Sequence, residues 1–216
     1  MCLQNTLRGI KAVLPAETRA LLTLHLLPGI GPKLTAALLA RFGSAAAVLR
    51  ASAGQLRQVA HVGEKLAPQI AEALQRIDVD AEIAEMDRHQ VRVLARGTTD
   101  YPTTLAALDG APSILYIRGT LEDRDGRAVA VVGSRRCTGY GKRMAERVSG
   151  DLARAGYTVV SGLARGIDGV AHCGALEAGG RTLAVLAGGL SRIYPPEHTE
   201  LACQVVAVGL CSAKQP

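Results

Sequence analysis

Three short stretches combine glycine with hydroxyl or guanidinium groups: Gly133-Ser134-Arg135, Ser161-Gly162-Leu163-Ala164-Arg165-Gly166 and Gly188-Gly189. Glycine lets backbone N–H groups come close to a ligand, and a helix that follows offers an N-terminus that favours anions. Arginine adds a planar fork that matches two phosphate oxygens. Together these residue types support anion binding, with phosphate as the natural anion. The charge around them agrees. From Arg135 to Arg165 there are seven bases (Arg135, Arg136, Lys142, Arg143, Arg147, Arg154, Arg165) and two acids (Glu146, Asp151), so seven minus two gives +5.

The elements that must position these groups can be read from the apolar runs. Ala128–Val132, Thr158–Val160 and Thr182–Leu186 each end in one of the small-residue loops. Tyr140, Met144, Val148 and Leu152 recur every four residues, which gives an amphipathic helix from about Thr138 to Ala155, stopped by Gly156. Ile167, Val170, Ala171, Gly174 and Ala175 give a second helix, small enough for close packing and ended by Gly179-Gly180. Strands alternating with helices imply βαβ units and a parallel sheet. The three loops then lie together at the carboxyl ends of the strands, where such sheets bind ligands. The fold class expected is α/β, a Rossmann-like parallel sheet preceded by a small all-α domain.

That all-α domain is read from residues 17–77. A helix bearing Leu21, Leu24 and Leu27 leads into Pro28-Gly29-Ile30-Gly31-Pro32-Lys33, and Leu34, Leu38, Leu39 and Phe42 follow at helical spacing. This resembles a helix-hairpin-helix, whose Gly-x-Gly turn presents N–H groups to a DNA phosphate without reading sequence. Gly29, Gly31 and Lys33 are the candidate contacts. A second copy runs through Val62-Gly63-Glu64-Lys65 to Ile70 and Leu74. His61 stands there in place of the first glycine, which makes this copy structural. The domains expected are residues 1–77, helical, and 78–216, Rossmann-like, with 1–16 a loose lead-in. In the connecting stretch Val79–Met86 reads as a helix, 91–94 and Ile114–Gly119 as strands, and Asp123–Arg127 as a polar turn. Pro195-Pro196 opens a helix to about Val205, and Val205–Leu210 reads as one last strand.

With 216 residues, 48% hydrophobic and 20% charged, the chain is globular. Aromatics make up 3%, with no Trp, which excludes a surface of several stacked rings. The net charge of +6 permits a nucleic-acid partner. Five cysteines (Cys2, Cys137, Cys173, Cys203, Cys211) fit no zinc spacing and imply free thiols in a reducing compartment. No signal peptide is recognisable, and no run of about 18 uncharged apolar residues could span a membrane. A cytoplasmic location is expected, with no metal and no cofactor.

At Gly133-Ser134-Arg135, at Ser161 through Asp168 and at Tyr194-Pro195-Pro196 the sequence resembles the DprA/Smf family of DNA-processing proteins. His172, Gly174-Ala175-Leu176 and Gly179-Gly180-Arg181-Thr182 fall in register with it. The resemblance covers about residues 17–200. It implies a non-enzymatic protein that binds single-stranded DNA, loads RecA on it in natural transformation and dimerises through the Rossmann-like domain. By position, Gly133, Ser134 and Arg135 would contact phosphate, and Ser161, Gly162, Arg165 and Gly166 would form the adjacent wall. Asp168 would brace the loop, and His172 and Tyr194 would line the pocket. Beyond Ala202 the family's further strands, basic segment and winged helix are not recognisable. The tail reads as truncated or frameshifted, leaving a sheet edge uncovered and an inactive remnant as one reading.

Two enzyme readings compete. A nucleotide or phosphoribosyl enzyme of the lysine-decarboxylase-like Rossmann group would carry PGG-x-GT-x-x-E, yet the third loop is Ala187-Gly188-Gly189-Leu190-Ser191, without that Thr or Glu. A dinucleotide enzyme would need G-x-x-G after the first loop and an acid after the second strand, where Ser161 stands. No catalytic base or nucleophile stands out among Ser134, Ser161, Asp168 and His172.

Overall fold

A computed structural model describes residues 14–213. Cys2, most of the expected lead-in and the last three residues of the tail lie outside them. Two compact units emerge: residues 14–87 with 94–114, and residues 88–93 with 115–213.

The first unit is built from short helices: α1 (Ala16–His25), α2 (Pro32–Phe42), α3 (Ala45–Leu49), α4 (Ala53–Leu56), α5 (Leu66–Arg76) and α6 (Val79–Arg88). Leu22, Leu24, Leu38, Val48, Leu56 and Ile70 are buried to 2% exposure or less and form its core. The α1–α2 turn needs one left-handed residue, and Gly29 supplies it at φ 80°. The α4–α5 turn repeats that geometry with His61 at φ 70°. The two hairpins therefore share a backbone shape although only one has the glycine. Glu17 accepts from the Ala45 and Ala46 amides at 2.5 and 3.2 Å, so α1 caps α3 as well as packing on it.

In chain order there follow β1 (Arg92–Ala95), α7 (Thr103–Ala106), β2 (Ile114–Gly119), β3 (Ala128–Ala130), α8 (Gly139–Arg154), β4 (Thr158–Ser161), α9 (Ile167–Glu177), β5 (Thr182–Leu186), α10 (Thr199–Val208) and β6 (Leu210–Ala213). The sheet order is β1-β2-β6-β5-β4-β3. Strands β3, β4, β5 and β6 are parallel, and β2 closes on β6 antiparallel.

Three expectations are corrected. Val205–Leu210 is not a strand: α10 runs through Val208, and the strand begins at Leu210. Helical spacing buries Ala202 and Val205 on one face, and that burial overrides the strand preference of the valines. The edge of β5 is not bare, because β6 lies on it and β2 lies on β6. Finally, Tyr140, Met144 and Val148 do not face the core; they are 67%, 38% and 42% exposed. Helix α8 packs on α9 through Ala145, Ser149, Gly150 and Ala153 instead. A Cβ at Gly174 of α9 would lie 2.5 Å from the Glu146 carbonyl oxygen, so only small residues fit this contact.

Arg181, 4% exposed, ties the sheet unit together. Its Nε and Nη2 donate to Asp125 Oδ1 and Oδ2 at 2.6 and 2.7 Å, and Nη1 donates to Glu122 Oε1 at 3.0 Å. It also donates to the carbonyls of Thr120 and Val208, both at 2.5 Å. Asp125 accepts further from Thr158 Oγ1 and the Glu122 amide at 3.0 and 2.8 Å. Burial alone would raise the Asp125 carboxyl, but these hydrogen bonds hold it below its ordinary value. Breaking a buried pair from one side leaves an uncompensated charge. Arg181→Met is therefore expected to cost about 3–5 kcal/mol, read by urea unfolding followed through the sheet unit. A loss below about 1 kcal/mol would show that the network does not hold this unit.

His172 sits beneath the sheet at 0% exposure. Thr182 Oγ1 donates to the Val159 carbonyl at 2.8 Å, so it accepts from His172 Nδ1–H at 2.7 Å. Burial, opposed by Asp168 and reinforced by His198, pushes the imidazole down to about 4. The unfolded chain then takes up the proton first. Stability is full above about pH 6.5 and falls as the pH drops toward 4, by about 3 kcal/mol in all. His172→Gln is expected to flatten this slope, as read by unfolding titrations across that range; an unchanged slope would exclude His172 as its source.

Candidate nucleic-acid interface

The parallel register of β3, β4 and β5 brings their following loops to one end of the sheet. A cleft opens there. Arg135 lines it from the first loop, Gly162, Ala164 and Arg165 from the second, and Gly188, Gly189, Arg192 and Tyr194 from the third. Arg135, Arg165 and Arg192 are all exposed. Each of the three strands thus delivers one guanidinium to the same space, and the glycines keep its floor low.

Asp168 fixes how the first two loops meet. It is the second residue of α9, 7% exposed, and accepts from the Gly133 and Gly162 amides at 3.4 and 3.1 Å. Those two N–H groups are therefore spent inside the fold and are not donors to the cleft, which Gly162 lines and Gly133 does not. Gly166, just before α9, has φ 81°, and a Cβ there would collide with the Ser134 carbonyl oxygen. The same Ser134 carbonyl accepts from the Ile167 amide at 3.3 Å, and Ser134 Oγ accepts from the Arg136 amide at 3.1 Å.

Two expected site residues point elsewhere. Ser161 is 2% exposed and donates to the Val131 carbonyl at 2.7 Å, so its hydroxyl stitches β4 to the end of β3. His172 is buried against Thr182 and does not line the cleft. Tyr194 does line it, 66% exposed, with Arg165 Cζ 5.6 Å from its ring centre and Arg165 Nη1 donating to its hydroxyl at 3.3 Å. Arg165 is further held side-on by Glu197, with Nε to Oε1 at 2.5 Å and Nη2 to Oε2 at 3.0 Å. These bonds raise the guanidinium and lower the Glu197 carboxyl from their ordinary values. Sequence reasoning missed Arg192 and Glu197, since neither sits in a glycine-rich run; the nearby Tyr194-Pro195-Pro196 was the available signal.

In the helical unit, Gly31 caps α2, and a Cβ on Gly29 or Gly31 would meet nothing within 4 Å. The first amides of α2, on Lys33 and Leu34, have no intrahelical partner. Among the described residues no cluster of His, Cys, Asp and Glu could hold a metal ion, and no helix is long and apolar enough to cross a membrane.

Comparison with known proteins agrees with this architecture. Residues 92–215 match the family model described as DNA recombination-mediator protein A, and residues 19–76 match a SAM-like helix-hairpin-helix tandem. Protein Smf of Synechocystis is 33% identical over 192 residues, which are 87% of this chain and 48% of that protein. DNA processing protein DprA of Bacillus subtilis is 38% identical over 52% of this chain and 38% of its own length. The chain thus spans about half or less of these curated relatives. The X-ray structure of DprA from Streptococcus pneumoniae superposes with a TM-score of 0.73 at 27% identity, covering 91% of this chain and 67% of that one. A Helicobacter pylori DprA structure, described for its single-stranded DNA binding mode, superposes with a TM-score of 0.51 at 28% identity, over 58% of this chain and 55% of that one. Family profile, relatives and fold converge, and the chain belongs to the DprA/Smf family.

Proposed function

We propose that the cleft at the strand ends binds the phosphate backbone of single-stranded DNA, as part of a DNA-processing role in transformation. The observation that carries this reading is the convergence of Arg135, Arg165 and Arg192 from three successive loops on one glycine-lined space. Arginine forks suit phosphate oxygens. The exposed Tyr194 ring adds a face on which an unpaired base can stack. Binding of this kind is insensitive to sequence and strongly dependent on salt. The Helicobacter relative, described for its single-stranded DNA binding, supports the choice of ligand.

The role is one of binding without catalysis. Ser161 and His172, a hydroxyl and an imidazole that the sequence placed at the site, are both committed to strand contacts, so neither serves as nucleophile or base in the cleft. In this reading residues 1–77 form a hairpin domain whose Gly29–Lys33 turn makes a second, sequence-blind backbone contact, and residues 78–216 carry the cleft. Delivery of the strand to RecA, action as a homodimer and a cytoplasmic location complete the proposal, on the strength of family membership.

Fluorescence anisotropy on labelled single-stranded DNA across a salt series tests the cleft. Arg135→Ala, Arg165→Ala and Arg192→Ala are each expected to weaken binding and to lower the salt slope by about one unit. Unchanged affinity and slope in all three would remove the cleft from the account.

A further inference from the structure

We infer that Glu197 is a positioning residue: it holds the Arg165 guanidinium ready for a backbone phosphate, so that removing this carboxylate weakens DNA binding although it makes the protein more basic. The inference rests on the proposed reading of the cleft.

An arginine has five N–H donors. Glu197 takes Nε–H and one N–H of Nη2, and Tyr194 takes one N–H of Nη1. One N–H therefore remains on each terminal nitrogen to donate to phosphate oxygens. The carboxylate occupies the side-on edge of the fork and leaves the end-on edge for the ligand.

The support itself is anchored. Glu197 lies on the 3₁₀ turn Pro196–His198. The next residue, His198, donates from Nδ1 to the carbonyl of Leu163 at 2.8 Å, and Thr199 Oγ1 closes the turn on the Pro196 carbonyl at 2.7 Å. Two neighbouring side chains of one turn thus grip the loop that carries Arg165. Arg165 and Glu197 are each about half exposed, at 50% and 51%. An exposed pair adds little to stability unless it is bidentate, as this one is. Its effect is to remove rotamer freedom from a long side chain before the ligand arrives, which lowers the entropic cost of binding.

The sign of the effect makes this testable. Glu197→Ala raises the net charge by one, and electrostatics alone would tighten binding to DNA. Loss of positioning weakens it instead, by about 3- to 10-fold, with Glu197→Gln intermediate because one acceptor oxygen survives. In the Arg165→Ala background, Glu197→Ala should weaken binding no further. Anisotropy with labelled oligothymidine reads these affinities, and equal or tighter binding by Glu197→Ala overturns the inference. The Arg165 Nε–Hε resonance gives a readout that needs no DNA. It should be protected from exchange in the unsubstituted chain and exposed in Glu197→Ala; no change there also overturns the inference. If the unsubstituted chain binds and Arg135→Ala weakens it while Glu197→Ala does not, the cleft stands and only the positioning role falls. If the unsubstituted chain ignores single strands, the cleft reading fails and takes the inference with it.

Discussion

Arg181 sits where four segments must meet: the end of β2 at Thr120, the turn carrying Glu122 and Asp125, the end of α10 at Val208 and the start of β5. An arginine buried to 4% exposure persists only with its donors satisfied. Here the start of β5 supplies the arginine, and each of the other three segments supplies an acceptor. Through Asp125 the network reaches Thr158, the first residue of β4. The starts of β4 and β5 are thus held from one side, and their far ends deliver the loops. The cleft depends on this fixed base, because loops can converge on one ligand only if the strands beneath them keep register.

At the opposite end of the strands Asp168 plays the corresponding part on a smaller scale. By accepting from both the Gly133 and Gly162 amides it joins the first loop to the second. A carboxylate in the middle of a basic cleft would repel phosphate if it faced outward. Turned inward and spent on two amides, it leaves the outward charge to Arg135, Arg165 and Arg192. The third loop is joined to the second by the turn at Pro196–His198, through Glu197 and His198. The cleft is therefore braced by two acids and a histidine whose hydrogen bonds run to its loops.

Much of this was legible in the residues. Apolar runs bounded by glycine marked β3, β4 and β5, and the loops at their ends marked the cleft. The tandem hairpins were legible from the Gly29–Lys33 turn and its repeat, but the left-handed backbone at His61 was not, because a residue with a Cβ carries no such signal. What escaped has specific causes. Arg181 and Asp125 are 56 residues apart, and each sits among polar turn residues, so nothing local announces a buried pair. The stripe of Tyr140, Met144 and Val148 has helical period but faces outward, because helix contact distances here are set by Gly174 and admit only small side chains. The valines of α10 have strand propensity that packing overrides. Ser161 and His172 have residue types that suit a site, and only the fold shows their polar atoms turned to Val131 and Thr182. Val185, in the middle of β5, is 55% exposed, which the continuous apolar run of a parallel strand does not suggest.

The central claim is that phosphate backbone lies in the cleft formed by the loops after β3, β4 and β5. Amide chemical-shift mapping of the full chain with unlabelled oligothymidine tests this most directly. The account predicts that shifts concentrate at Arg135, Ala164, Arg165, Gly188, Gly189 and Arg192, while Ser161 and the residues around Arg181 stay still. Shifts confined to the outer surface of α8, or the absence of any shift at these loops under saturating DNA, would contradict it.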